Sequence, residues 1–238
     1  MRRFLTLRLI LIFAAGIVLA FGIALSARIA LSAGIVPDMA FPDISIYSAP
    51  AQEAVYEPEK WNLILVNRDH CIPDNYYVEL IRLENGGTEV DMRILPDLQN
   101  MFDDMRQQGL DPVVGEGYRT NREQKKMLWN KRFELLRQGY SCQEAAAMAK
   151  EWVAEPGTSE HELGLAVDIN SISGEQEFDI YRWLADNAHR YGFILRYPEG
   201  KEAITGIAYE PWHYRYVGKA AAEEIYDTGL TLEEYLVP

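Results

Sequence analysis

The sequence contains little cysteine and little histidine. Only two of its 238 residues are cysteines, Cys71 and Cys142, and they do not form a CxxC pair. A zinc site built from cysteines and a framework of several disulfides are therefore excluded. Two thiols leave two alternatives open, a disulfide between them or two free buried cysteines.

Positive charge is also scarce. Lysine and arginine number 23 against 36 acidic residues, which gives a formal net charge of −13. The first acidic residue is Asp38 and four arginines precede it, so the rest of the chain carries −17. Binding to a phosphate backbone depends on lysine and arginine displacing counterions. We therefore expect no nucleic-acid partner.

One long stretch without charge, residues 9–27, lies near the start of the chain. As a helix, its 19 residues would span about 28 Å, which is enough to cross a hydrocarbon core. Arg2, Arg3 and Arg8 precede it, so the positive-inside rule leaves the folded part of the chain extracytoplasmic. We predict that residues 1–34 form a membrane anchor or signal. An uncleaved single-pass anchor is preferred, and secretion after cleavage is the alternative.

Residues 35–60 contain four prolines and few periodic apolar positions, which is typical of a linker. Residues 61–238 form the predicted domain. Hydrophobic periodicity predicts helices at 96–108, 121–138, 141–153, 178–191 and 219–226, with a short one near Leu232, and strands at 112–118, 164–169, 193–197, 204–209 and 213–217. This order indicates an α+β domain, in which an antiparallel sheet is covered mainly on one side by helices.

Two of the four histidines lie in segments that suggest a metal site. His161 belongs to a turn-rich segment that leads into the strand carrying Asp168, and His213 follows a Glu-Pro-Trp sequence. Two imidazoles and one carboxylate can hold zinc and leave its fourth position open for water. An unpaired carboxylate in an apolar strand is strongly disfavoured, so Asp168 needs either a metal or an ion pair with Arg119 or Arg196.

Glu210 is the candidate base of this site. It lies three residues before His213, a spacing that places the two side chains on opposite faces of a regular strand. Pro211 interrupts a regular strand, so Glu210 can point inward with His213 and take a proton from a metal-bound water. Trp212 has two interpretations, a residue that flanks the site or one that packs in the core.

The segment GYRT at 117–120 is the third candidate, together with Gln124 about one helical turn later. Arg119 precedes a predicted helix start, where a fixed guanidinium can pair with a carboxylate or with a developing oxyanion. The alternative is an ordinary surface arginine.

These segments together resemble the VanY-type carboxypeptidases. The resemblance rests on GYRT at 117–120 with Gln124, on SEH at 159–161 with Asp168, and on EPWHYRYVG at 210–218. It runs in order from about residue 63 to residue 218. The VanY-type enzymes belong to the wider LAS group of metallopeptidases, related to the hedgehog signalling domain. The resemblance therefore implies an LAS/hedgehog-like fold with the zinc site on the sheet.

The resemblance implies a zinc-dependent D-alanyl-D-alanine carboxypeptidase that removes the C-terminal D-Ala from peptidoglycan stem peptides or precursors. It assigns zinc binding to His161, Asp168 and His213. It assigns activation of the zinc-bound water to Glu210, and stabilisation of the tetrahedral intermediate or the substrate carboxylate to Arg119. The positions that correspond to substrate-binding residues are Gln124, Ser159 and Trp212.

Two alternatives accompany this function. An L,D-carboxypeptidase that trims tetrapeptide stems would use the same metal centre. A non-catalytic zinc-binding module of the cell wall would share the scaffold without peptidase activity. The presence of both Glu210 and Arg119 argues against the module, since a protein that only binds has less need of either residue.

Overall fold

A computed structural model of the chain describes residues 51–84 and 87–237. They belong to one compact unit, Ala49–Pro238. The predicted anchor or signal at 1–34 lies outside the described residues. In the part of the chain that is described, no helix combines the length and the apolar character needed to cross a membrane.

Eight strands in the described residues form three sheets. They are β1 (Gln52–Glu53), β2 (His70–Cys71), β3 (Leu80–Arg82), β4 (Glu89–Asp91), β5 (Pro112–Glu116), β6 (Ala166–Ser171), β7 (Phe193–Leu195) and β8 (His213–Tyr216). The main sheet has the order β5-β6-β8-β7, and each neighbouring pair is antiparallel. Strands β1 and β2 pair in parallel, whereas β3 and β4 pair antiparallel.

Seven α-helices lie around these sheets in the described part of the chain. They are α1 (Leu95–Gln107), α2 (Asn121–Arg137), α3 (Cys142–Lys150), α4 (Glu177–Asn187), α5 (Glu202–Thr205), α6 (Lys219–Thr228) and α7 (Leu232–Leu236). Short 3-10 helices include Glu160–Leu163, which carries part of the site. Helices α2 and α3 both begin with capping boxes, in which Thr120 pairs with Glu123 and Ser141 pairs with Glu144.

Alternation along the central strands separates two environments. On β6, Val167 and Ile169 enter the main hydrophobic core with residues of α1 and α4. Asp168 lies between them and therefore points to the opposite face. Phe193 of β7 joins the main core, whereas Ile194 joins a second cluster with α6 and α7. The predicted α+β class with an antiparallel sheet is thus confirmed. The prediction that helices cover mainly one side of the sheet needs a correction, because helices cover both faces of the sheet at β7.

The structure corrects three other predictions. Residues 51–60, predicted as linker, already belong to the folded unit, because β1 pairs with β2 and Ala54 is buried in the main core. The predicted strand at 204–209 is wrong, since α5 ends at Gly206 with φ +78°, a left-handed conformation that stops strand and helix alike. Cys71 and Cys142 are both free thiols, and Cys142 is exposed.

Candidate active site

Strand pairing brings Asp168 and His213 together. The two residues lie directly opposite each other in the antiparallel pair of β6 and β8. Side chains of such cross-strand partners share one face of the sheet and lie within contact distance. His161 joins them, and one ligand atom from each of the three residues lies within 4.8 Å of the others. The structure therefore brings together the three residues that the sequence suggested as metal ligands.

His161 is oriented by the turn that carries it. It lies in the 3-10 helix Glu160–Leu163, which ends at Gly164 with φ +74° before the chain enters β6. Its Nδ1 atom lies 2.8 Å from the backbone oxygen of Gly117, a hydrogen bond in which the ring nitrogen must donate. The Nε2 atom then carries the lone pair, and it lies 3.5 Å from Oδ1 of Asp168.

The surroundings of the Asp168 carboxylate show whether these residues fit a metal ion. Its Oδ1 atom lies 3.0 Å from Nδ1 of His213, yet it has no aligned hydrogen-bond partner among the described residues. Burial raises the pKa of Asp168, but the two histidines outweigh that effect and hold the pKa far below its usual range. An ionised oxygen and two imidazole nitrogens within 4.8 Å of one another match the donor set of a zinc site with an open position.

The alternative ion pair for Asp168 is wrong for both arginines considered. Arg119 donates a hydrogen bond to Gln124, and Arg196 pairs with Glu160 and Glu233.

The protonated form of His213 is favoured while no metal is bound. Burial lowers the pKa of its imidazole, but the carboxylates of Asp168 and Glu160 outweigh burial and raise the pKa to about 9.

Glu210 reaches the site because its segment is a turn. The backbone N–H of His213 donates to the backbone oxygen of Glu210 at 3.1 Å, which closes a four-residue turn across Pro211 and Trp212. The turn places Oε2 of Glu210 3.7 Å from Nδ1 of His213. Burial raises the pKa of Glu210 to about 8, since His213 and Arg119 offset this effect only in part. A carboxylate with such a pKa is suited to accept and return a proton near neutral pH.

Arg119 is buried, so the interpretation as an ordinary surface arginine is wrong. Its Nη1 atom donates to Oε1 of Gln124 at 2.7 Å, and the backbone N–H of Arg119 donates to the oxygen of His161 at 3.1 Å. The Nε2 atom of Gln124 donates in turn to the backbone oxygen of Ala154 at 2.7 Å. Gln124 is engaged at both ends of its amide and therefore holds Arg119 at the edge of the site.

A cavity of about 90 Å³ opens over these residues. Gln124, Ser159 and Trp212, the predicted substrate-binding residues, all line it. Trp212 is half-buried and lies beside the site, so it is not a residue of the main core. A hydrogen bond from the N–H of Ala208 to the oxygen of Glu151 joins the two segments that carry Ile207 and Trp152, which also line the cavity.

Sequence reasoning missed several residues behind the site. Glu160 is fully buried beside two buried arginines, Arg196 and Arg215. The ring of Tyr197 lies 4.7 Å from that of His213, measured between centroids. The available signal was an arginine in each of the predicted strands 193–197 and 213–217, because a buried guanidinium needs a carboxylate partner.

The chain is similar to known proteins of one family. The family profile described as "VanY: D-alanyl-D-alanine carboxypeptidase" matches residues 87–219. A D-alanyl-D-alanine carboxypeptidase of Enterococcus faecalis is 51% identical over 181 residues, which cover 76% of this chain and 67% of the relative.

Solved structures show the same relationship. VanYB in complex with D-alanine-D-alanine has a TM-score of 0.72 at 52% identity and covers 74% of this chain and 97% of its own. A glutamate-to-alanine variant of a vancomycin-resistance VanY in complex with Zn(II) matches equally well, with a TM-score of 0.72. The LD-carboxypeptidase LdcB has a TM-score of 0.63 at 37% identity and covers 75% of this chain and 87% of its own. The chain belongs to the VanY family of D-alanyl-D-alanine carboxypeptidases, whose metal is zinc.

Proposed function

We propose that the protein is a zinc-dependent carboxypeptidase that removes the C-terminal D-Ala from peptidoglycan stem peptides or their precursors. One observation carries the proposal: ligand atoms of His161, Asp168 and His213 lie together. Beside them is Glu210, a buried carboxyl whose pKa is raised. The D-alanine-D-alanine bound in the VanYB structure supports the choice of substrate. His161, Asp168 and His213 are the proposed zinc ligands.

The proposed chemistry is hydrolysis of the terminal amide. When bound, zinc lowers the pKa of a water in the site and polarises the scissile carbonyl. Glu210 accepts a proton from that water as the oxygen forms a bond to the carbonyl carbon. The same carboxyl then delivers the proton to the amine of the departing D-alanine as the C–N bond breaks.

Arg119 contributes positive charge at the edge of the cavity. Its guanidinium is fixed by Gln124, and its Nε atom has no hydrogen-bond partner among the described residues. A donor held in place before the substrate arrives stabilises developing negative charge without reorganising. We assign Arg119 to the tetrahedral oxyanion or to the substrate carboxylate. Ser159 and Trp212 line the cavity and are assigned to substrate contact.

The location of the protein is a further part of the proposal. Residues 9–27 carry no charge and follow three arginines, which supports a single-pass anchor with the catalytic domain outside the cytoplasm. Fractionation of cells that express the full chain tests it. The anchor predicts the protein in the membrane fraction, and a cleaved signal predicts it in the medium.

Defined stem peptides test the activity. The purified protein is incubated with pentapeptide and with tetrapeptide stems, with zinc or with a chelator, and the products are weighed by mass spectrometry. Loss of one alanine from the pentapeptide, abolished by the chelator, is the expected result. Cleavage of the tetrapeptide instead would favour the L,D-carboxypeptidase, an alternative that the similarity to LdcB supports. A protein that binds zinc but cleaves neither stem would be a non-catalytic module.

A further inference from the structure

Glu160 is a buried carboxylate to which the proposed reaction assigns no role. It precedes His161 in the chain, and its side chain is 0% exposed. Its Oε1 atom accepts a hydrogen bond from Nε of Arg196 at 2.8 Å and another from Nη1 of Arg215 at 2.7 Å. Both arginine side chains are also 0% exposed. One carboxylate oxygen therefore accepts from both guanidinium groups, and the other oxygen remains available.

The other oxygen points at a proposed metal ligand. Oε2 of Glu160 lies 3.7 Å from Nε2 of His213, and neither atom has a hydrogen-bond partner among the residues that the structure describes. A normal bond between these atoms would be about 2.9 Å long, so a movement of less than about 1 Å would form it. Buried polar atoms are rarely left unpaired, which makes each the natural partner of the other.

We infer that Glu160 is a positioning residue for His213, accepting a hydrogen bond from Nε2–H and so leaving the lone pair of Nδ1 free for the metal. The inference rests on the proposed metal centre. His161 provides the precedent within this site, because its Nδ1–H donates to the oxygen of Gly117 and its Nε2 faces Asp168. In metal sites, such an outer partner fixes the tautomer and the ring orientation of a histidine ligand.

The two arginines that bind Glu160 are themselves anchored by two other parts of the chain. Arg215 donates from Nη2 to the backbone oxygens of Asn62 and Ile64. Arg196 reaches α7, where its Nη1 and Nη2 atoms donate to the two carboxylate oxygens of Glu233 at 2.9 and 2.6 Å. Two arginines and two glutamates balance in charge, so Glu160 can remain ionised beside a neutral imidazole.

The variant Glu160→Gln tests the inference with little change in shape. Its carbonyl oxygen can still accept from both arginines, but its amide can only donate to Nε2 of His213. That contact favours the tautomer with the proton on Nδ1, the atom the metal requires. Zinc affinity, measured by competition with a chromogenic chelator, is expected to fall about 10-fold to 100-fold. The visible spectrum of the cobalt-substituted protein is expected to change as well, which a purely structural role of Glu160 would not cause.

Glu234→Gln is the matched control. Glu234 follows Glu233 on α7 and pairs with Lys201 at 3.0 Å, a bond that is not part of the cluster around Glu160. This variant should keep the zinc affinity and the cobalt spectrum of the wild type. If Glu160→Gln fails to fold by circular dichroism, Glu160→Asp replaces it. It keeps the charge beside the arginines but withdraws the carboxylate from His213, and it should also weaken zinc binding.

The outcomes separate this inference from the proposed function. A folded Glu160 variant with wild-type zinc affinity and an unchanged cobalt spectrum overturns the positioning role alone. A wild-type protein that binds no zinc overturns the metal centre, and the positioning role with it.

Discussion

The two faces of strands β6 and β8 are stabilised by different interactions, one by burial of apolar surface and the other by pairing of polar and charged groups. One face presents Val167, Ile169 and Tyr214 to the main core, where each is at most 1% exposed. Removal of such apolar surface from water contributes about 25 cal/mol per Å². The other face presents Asp168 and His213, whose burial is unfavourable until each polar atom has a partner.

The difference shows how one sheet can hold a stable fold and a reactive site together. The polar face is built in two layers, with the proposed zinc ligands in front and the pairs of Glu160 with Arg196 and Arg215 behind them. Among Val167, Ile169 and Tyr214 the one polar side-chain atom is the hydroxyl of Tyr214, which has no hydrogen-bond partner among the described residues. The rest of the apolar face needs no matched partners and tolerates volume-conserving changes of shape. Substitutions on the polar face should therefore change metal binding and chemistry, whereas those on the apolar face should change only the free energy of unfolding.

The substitution His213→Ala on the polar face should have the largest effect. It removes one of three proposed ligands, so zinc and the activation of water are lost together. We expect kcat/KM to fall by about 10⁴-fold or more. Zinc content after dialysis, measured by atomic emission, should fall in parallel. Retention of a full equivalent of zinc by this variant would show that His213 is not a ligand.

Glu210→Gln should separate chemistry from metal binding on the same face. The amide keeps the size of the carboxyl but cannot take a proton, so kcat should fall by about 10²-fold to 10⁴-fold. Zinc content should stay that of the wild type, because Glu210 is not among the proposed ligands. Stopped assays on a pentapeptide stem measure the turnover. Unchanged turnover would show that another group is the base.

Arg119→Lys should have a smaller effect, on the substrate side of the site. Lysine keeps the charge but lacks the planar fork that Gln124 holds, so kcat/KM should fall by about 10²-fold. Zinc affinity should not change. Gln124→Ala frees the guanidinium without removing it, and its loss of activity should be in the same direction and smaller. A larger loss in Gln124→Ala than in Arg119→Lys would place Gln124, not Arg119, in direct contact with the substrate.

The parts of the fold that the sequence predicted are those set by local pattern. The predicted helices at 96–108 and 141–153 correspond to α1 and α3, because their signals, the apolar spacing of α1 and the pairing of Ser141 with Glu144 in α3, lie within one or two helical turns. The predicted start of α2 at residue 121 is also correct. Thr120 caps the helix, while the Asn121 amide donates to Glu162 across the fold. A tertiary partner of that kind is invisible in a single sequence.

The site could be predicted in its residue types but not in its support. Asp168 was identifiable because a carboxylate in an apolar strand demands an explanation. The two buried arginines indicated that a carboxylate partner exists, but not that Glu160 is this partner, because Arg196 and Arg215 lie 36 and 55 residues away along the chain. The prediction that residues 51–60 belong to the linker was wrong for the same reason, since their contacts are with residues distant in the sequence. Strands β1 and β2 are only two residues long, which is too short to show the alternation that predicts a strand.

Ile169→Val on the apolar face should have the smallest effect and tests whether the two faces are independent. Ile169 is 0% exposed and follows Asp168, so it is as close to the metal site as a core residue on β6 can be. Loss of one methylene from the core should lower the free energy of unfolding by about 0.5–1.5 kcal/mol, measured by urea denaturation. Zinc affinity and kcat should remain those of the wild type, because valine keeps the β-branched shape and the backbone N–H that donates to Trp212. A fall in zinc affinity in this variant would mean that packing on one face sets the ligand geometry on the other.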